Sequence, residues 1–525
     1  MAENQQATGL SPNPTSHARL ILGVLFLVSI LNFVDRQILA ILAGKVKADL
    51  LITDGELGFL YGTVFGIFYA VFGIPLGVYA DLGSRRKLIA WGLAVWSLMT
   101  MASGMASGLG TLAFARVGVG IGEASASPAA YSLIADLFPK ARRATALAVY
   151  SLGVYVGIGL SQFLGGAVVD RWSAAFPPGL EPFGLRGWQV AFLVAGLPGL
   201  LLVPLVWSFR EPVRGAQDRS LVPSGQSSSG KVRQSALRSA LLEGLALLPP
   251  TSFFFLGRDG VPVIRNLVTF GVLAIGFVGL WQGFGDPVQW ACVAVGFYVV
   301  ATMAQRLKVL EPDAFALIFG TPSLRLATLG FSSLSFLGYA ISLWSAEFFR
   351  RYHGFSASEL GARLGIISAV AGGLGVTVGG VLADHLRRKM PSGRLIVGMM
   401  NALVPIPLLF LALVVADKNT ALALFALAQV FGAMWLGAGS STVQDLVLPH
   451  MRARASAVFL LFVTIVGLAL GPYVVGRLSD RWHDLRLAIM AASLSNVAAF
   501  VFFVMASRTI EGDEETRLAR AAAAR

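Results

Sequence analysis

The sequence predicts an all-α polytopic membrane protein: two repeated six-helix units with a two-helix hairpin inserted between them. Three observations carry this. Of 525 residues, 56% are hydrophobic and only 13% are charged, about half the charged share of a soluble domain. The apolar residues gather in runs of about 20, the length of a helix that crosses a bilayer. Finally, the chain echoes itself. Gly77-Val-Tyr-Ala-Asp81 returns 303 residues later as Gly380-Val-Leu-Ala-Asp384, and Glu56-Leu57-Gly58 with Gly62 returns as Glu359-Leu360-Gly361 with Gly365. A second block, Pro139, Arg142, Asp170, Arg171 and Trp172, returns 310 residues later as Pro449, Arg452, Asp480, Arg481 and Trp482. Two ungapped blocks at nearly one offset mean a duplicated unit.

Residues 1–18 are polar, hold two prolines and lack a signal-peptide pattern; they read as a disordered cytoplasmic tail. The first unit covers residues 19–210, with spans at 19–43, 57–80, 87–108, 111–135, 144–169 and 188–208. Arg85, Arg86 and Lys87 follow the second span, and Lys140, Arg142 and Arg143 follow the fourth. The loop after the third span carries no charge, so the positive-inside rule places both termini in the cytoplasm. Residues 211–324 form a central cytoplasmic linker with an extra hairpin at 266–305. Its start is polar and Ser/Gly-rich, which suits a flexible segment. Leu237, Leu241, Leu245 and Leu248 then recur at helical spacing, as in a linker helix or one lying on the membrane surface. The second unit covers residues 325–507, with spans at 326–349, 363–384, 395–416, 419–444, 454–478 and 486–506, fourteen spans in all. The tail, 508–525, reads as a frayed helix or disordered cytoplasmic segment.

The net charge of +13 lies mostly in loops and tails, as the positive-inside rule requires, so nucleic acid is not an expected partner. The single cysteine, Cys292, excludes an internal disulfide framework. The five histidines lie outside the spans or at their ends, and none forms a spaced ligand pair with another histidine or the cysteine. No metal, cofactor, nucleophile–base pair or ATP-binding loop is expected, and therefore no enzyme.

Four charges fall within spans: Asp35 and Arg36 in the first, Arg116 and Glu123 in the fourth. A charge inside the bilayer is costly unless paired or hydrated, and marks function by default. Arg116, Gly120, Glu123, Ser127 and Tyr131 share one helix face, and Asn32, Asp35 and Arg36 another. The duplicate is neutral at these positions: Gly338 and Tyr339 stand where Asp35 and Arg36 would recur. Coupling is therefore assigned to the first unit. A more apolar contribution is expected from Phe336, Tyr339, Trp344 and Trp435 in the second. Asn32, Ser127 and Tyr131 complete the expected substrate cavity.

The loop pattern around Gly77 resembles that of the major facilitator superfamily of transporters. Gly77, Asp81, Arg85 and Arg86 fit, while Leu82 and Ser84 replace the usual Arg and Gly. Gly380 and Asp384 are the weaker copy. The resemblance implies a pseudo-two-fold fold of two six-helix bundles and a gating role for these loops. Asp81 would meet the start of span 11 near Ser456, and Asp384 the start of span 5 near Thr145, since a helix amino terminus favours a carboxylate. Asn32-Phe-Val-Asp35-Arg36, Arg116-Val-Gly-Val-Gly-Ile-Gly-Glu123-Ala-Ser125 and Ile134-Ala-Asp136-Leu-Phe-Pro139 narrow the resemblance to the Spinster family. Members of that family are associated with export of lysolipid-like molecules, which implies a lysolipid-like substrate with direction of transport left open, and coupling or gating at Asp35, Arg36 and Glu123. A monomeric carrier of the bacterial inner membrane follows, with a small or lipid-like anion, protons and membrane lipids as partners. A small polar organic anion is the alternative substrate.

Overall fold

The structure, a computed structural model, describes residues 16–214 and 233–524. Most of the expected tail over 1–18 and of the polar segment within 209–235 lies outside them. Every regular element among the described residues is helical. The first half holds α1 (Ser16–Leu50), α2 (Asp54–Leu82), α3 (Arg85–Ser103), α4 in two pieces (Leu109–Glu123 and Ala126–Leu137), α5 (Lys140–Ala175) and α6 (Gly187–Ser208). The insertion holds α7 (Arg233–Leu247), α8 (Thr251–Arg258), α9 (Val263–Phe284), α10 (Pro287–Leu310) and the short α11 (Pro312–Ile318). The second half holds α12 (Pro322–His353), α13 (Ala357–Lys389), α14 (Gly393–Val414), α15 (Lys418–Asp445), α16 (Pro449–Trp482) and α17 (Leu485–Ser507), followed by α18 (Ile510–Ala523).

Among the described residues, 12 helices are long and apolar enough to cross a membrane. The two other expected spans are α3, which opens on three basic residues, and α4, which breaks at Ala124 and Ser125. There the Ser125 hydroxyl donates to the Gly122 carbonyl at 2.7 Å, tightening the chain into a turn.

The repeats recur as local physics. Thr53 and Glu56 form a capping box at the start of α2, and Ser356 accepts from the Glu359 N–H at the start of α13. The repeated glutamates thus mark helix starts. Alternation of helix direction puts the starts of α1, α3 and α5, the ends of α2, α4 and α6, and their second-half counterparts on one face. Arg85, Arg86, Lys87, Arg387, Arg388 and Arg394 lie there; we call it the basic face, and the opposite one the far face. Arg85 is buried, ion-paired to Asp136 and Glu211, and donates to Ser132. In the second half Arg394 pairs with Asp445 and donates to the Ser441 carbonyl. Each arginine ties three helix ends of its own half together. Arg85 therefore does more than obey a charge rule. Its counterpart by role is Arg394, in place of Arg388 at the 303-residue offset.

Other expectations shift. Helix α1 already begins at Ser16, within the expected tail. The last residues fold as α18, which docks: Asp513 accepts from the Ser323 N–H at 2.8 Å and pairs with Arg520. Burying Ile510 and Ala521 and capping α12 give that helix a partner that its own sequence does not announce. In α7, Leu237, Leu241 and Leu245 are exposed, while Ala236 and Ala240 are buried and the helix packs on α2.

Candidate functional site

Four buried charges meet where α1 and α4 cross. Arg36 donates through Nε and Nη2 to Glu123 Oε2, at 3.0 and 2.7 Å. The guanidinium also lies over Phe33, Phe65 and Tyr69, 4.8, 4.7 and 4.9 Å from their ring centroids. Aromatic faces stabilise a cation that has lost water. Arg116 behaves differently. It donates to the backbone carbonyls of Asp35 and Arg36, at 3.3 and 3.4 Å, and also lies over the Phe65 ring, at 5.2 Å. These hydrogen bonds tie α4 to the α1 backbone. Both Asp35 carboxylate oxygens and Glu123 Oε1 are buried with no hydrogen-bond partner. Trp96 and Thr100 of α3 are the side chains able to offer Asp35 a donor. Close packing seats α4 against α2 and α3 beside the cluster: a Cβ on Gly120 would stand 2.7 Å from the Phe65 carbonyl oxygen, and one on Gly122 2.7 Å from the Trp96 nitrogen. The four charges and the glycines between them were legible in the sequence. The aromatic ring around Arg36 was not, because Phe and Tyr in apolar spans are common.

The expected cavity residues divide. Asn32 is buried close to Glu123. Ser127 is half-buried, and Tyr131 is 48% exposed with its ring edge-on to Tyr150. Gly338, at the duplicate position of Asp35, is exposed, with half-buried Phe336 and Tyr339 beside it. Trp435 stacks on Phe331 at 5.9 Å, inside the second half. Trp344 is fully buried, and its indole N–H donates to the Pro472 carbonyl at 2.9 Å, packing α12 on α16.

Above this cluster, toward the far face, the two halves are joined. Tyr61 donates to Gln37 at 2.6 Å, and Ser342 of the second half donates to the same oxygen at 3.1 Å. Asp54 accepts from Lys47, Arg351 and Ser479, at 2.5, 2.7 and 2.8 Å. Glu347, a buried acid in α12 that the sequence reading passed over, pairs with Arg350 and Arg351. Two carboxylates then cap helix starts across the interface. Asp480 at the end of α16 accepts from the Asp54 and Gly55 N–H groups at the start of α2, at 2.9 and 2.7 Å. Asp170 at the end of α5 accepts from the Ser358 N–H in the first turn of α13, at 2.7 Å. These aspartates are the pair repeated at 310, so the signal was in the sequence without its meaning.

The repeated glycines line the same two seams. Gly58 and Gly62 of α2 face the backbone of Pro472 and Leu468 in α16, and Gly361 and Gly365 of α13 face that of Gln162 and Gly159 in α5. A Cβ at any of the four would collide with backbone. α2 and α16 each contain a π-helical segment here, Phe59–Val64 and Val463–Leu470, and such segments often mark functional sites.

The contacts expected on the basic face are not formed. Asp81 is exposed, and its electrostatic neighbour is Arg214, just beyond α6 at the start of the linker. Asp384 is 3.5 Å from Arg394, within one half. Gly77 and Gly380 have nothing within 4 Å of a Cβ. The same helix-capping chemistry operates on the far face instead, where Asp480 and Asp170 join the two halves.

Comparison with known proteins agrees. The Major Facilitator Superfamily model matches residues 25–472. An MFS-type efflux pump of Mycolicibacterium smegmatis is 29% identical over 496 residues, covering 93% of this chain and 92% of that protein. Mouse Protein spinster homolog 1 is 28% identical over 524 residues, covering 95% and 79%. The crystal structure of a bacterial homolog of the human lysosomal transporter Spinster, inward-facing and unoccupied, superposes with a TM-score of 0.71 at 25% identity, covering 95% of this chain and 99% of that one. Two repeated helical halves, joined to each other on the far face, with a buried charge cluster inside the first of them, fit a carrier, and this chain belongs to the major facilitator superfamily as a Spinster-like membrane transporter.

Proposed function

We propose that the chain is a proton-coupled secondary transporter. It moves an amphiphilic organic anion such as a lysolipid by alternating access, as a monomer in a bacterial inner membrane with both termini in the cytoplasm. The observation that carries this reading is the Arg36–Glu123 pair, buried between aromatic rings at 2.7 Å. A buried arginine that loses its carboxylate partner needs another anion. Protonation of Glu123 would free Arg36 for a phosphate or carboxylate head, and return of the charge would expel it. The apolar and aromatic surroundings favour a molecule with a tail. The basic face would then be cytoplasmic, and the conformation described would be open inward, as in the bacterial Spinster homolog. The similarity to an efflux pump of Mycolicibacterium smegmatis supports export. The alternative cargo is a small polar organic anion taken up with protons.

Asp35 supports a second assignment of the proton, since its two carboxylate oxygens have no partner while Glu123 has Arg36. Transport in proteoliposomes of lysophospholipids against small carboxylates, with and without a pH gradient, tests the function. Glu123→Gln should abolish accumulation driven by pH and leave exchange of substrate intact. If Glu123→Gln still accumulates substrate and Asp35→Asn does not, the proton belongs to Asp35. If both accumulate it, coupling lies outside this cluster.

A further inference from the structure

The inserted hairpin breaks the symmetry of the two halves at one place. By the repeat, α2 corresponds to α13 and α5 to α16, so the seams α2–α16 and α5–α13 are equivalents. Their exposure differs. No residue of α2 from Phe65 to Ala80, and none of α16 from Leu461 to Asp480, is exposed. At equivalent positions Ser151 and Leu152 of α5, and Val370, Leu374, Val378 and Val381 of α13, are exposed.

The hairpin causes the difference. α10 lies across both members of the first seam: a Cβ on Gly296 would stand 2.9 Å from Ile67 of α2 and 3.1 Å from Ile465 of α16. Val293, Val299 and Val300 share one buried cluster with Ile67, Val71, Leu461 and Ile465. The hairpin is fastened to α16 at both faces. Asp286 at its tip accepts from the Tyr473 hydroxyl at 2.7 Å and pairs with Arg477 at 3.0 Å, and Glu311 pairs with Arg454. Toward α2 the contacts of α10 are apolar, with α7 added beside Pro75 through Gly244. Polar anchors hold one orientation, whereas apolar surfaces slide with little loss. The hairpin is thus built to travel with the second half while staying in contact with the first.

We propose that the hairpin seals the bilayer-facing side of the α2–α16 seam, so that the tail of an amphiphilic substrate passes between cavity and lipid on one side only, between α5 and α13. Along α5–α13 the close approaches step from Gly166 on Ala357 to Gly372 on Tyr155. From there to the basic face both helices turn apolar side chains outward.

This rests on the amphiphile reading above. The test uses an anionic lysophosphatidylglycerol with a diazirine in its acyl chain, irradiated with the intact protein in liposomes, and the labelled peptides mapped. Label that unlabelled lysophosphatidylglycerol competes away should fall on α5 and α13 in their basic-face halves. Competable label on the hairpin-covered residues Ile67, Val71, Leu461 and Ile465 overturns the seal while keeping the amphiphile. Absence of competable label everywhere, with small carboxylates transported, overturns the amphiphile reading and the seal with it. A second measurement uses Leu152→Cys with Cys292→Ser, modified with pyrene maleimide. Transport should fall about tenfold for an oleoyl chain and far less for a hexanoyl chain, because each methylene kept from lipid is unfavourable. The same modification at Val268→Cys, on the lipid-facing side of α9, should change neither. Equal loss for both chain lengths at Leu152 overturns a lateral route.

Discussion

If the far face is latched by Asp480 and Asp170, neutralising them should open it by an amount set by the hydrogen bonds lost. Asp480 accepts two N–H groups at the start of α2, and Asp170 one at the start of α13. A hydrogen bond to a charged group contributes about 1.5–3 kcal/mol when fully removed, and a helix terminus adds about 0.3–1 kcal/mol to a carboxylate. Asn keeps one acceptor oxygen, so Asp480→Asn should cost the closed far face about 1–2 kcal/mol, shifting the equilibrium about 5–30-fold. Asp170→Asn should cost less, and the double variant about the sum, because the two caps share no partner. The neighbouring charge of Asp54 does not cancel this, being held by Lys47 and Arg351. Nitroxides at Leu51 and Leu487, both exposed on the far face in opposite halves, with Cys292→Ser, would report the opening by pulsed electron resonance. The long-distance population should rise in the order Asp170→Asn, Asp480→Asn, double variant. An unchanged distribution in the double variant would show that the caps follow closure and do not stabilise it.

Gly62→Ala and Gly365→Ala should each weaken the same closure by about 1–3 kcal/mol, the cost of overpacking, since the added methyls meet the Leu468 and Gly159 carbonyl oxygens; the same spin labels read it. Glu211 lies outside the spans. Burial would raise its pKa, but hydrogen bonds from Ser84 and Arg85 outweigh that and hold it below the usual carboxylate value. Its contribution is therefore present above the ordinary carboxylate range and lost as pH falls through the lowered value. Glu211→Gln should destabilise the detergent-solubilised protein by about 1 kcal/mol near pH 7, with the difference in melting temperature vanishing in acid. Asp513→Ala should free α18 from the start of α12 and Arg520. Proteolysis after Arg517 or Arg520 should speed up while transport persists.

Composition and repetition determined much of this protein. Apolar runs set the helices, because a chain in lipid must satisfy its backbone within each span. Basic loops set one face, and the 303- and 310-residue echoes set the pairing of the halves. The buried charges Asp35, Arg36, Arg116 and Glu123 announced themselves by their cost in such runs. Only the tertiary structure decided which partners they took: Arg36 with Glu123, and Arg116 with the α1 backbone. The echoed Glu56, Gly58 and Gly62 were visible as repeats, but their use as a helix cap and a contact surface depends on which helix lies opposite, which no local pattern records. The same holds for Asp170 and Asp480. A carboxylate near a helix end is ordinary in sequence and becomes a latch only when folding carries another helix's free N–H groups to it. The hairpin was legible as two apolar runs, yet its seat across one seam was not, because apolar side chains in a membrane protein face lipid or protein with the same composition.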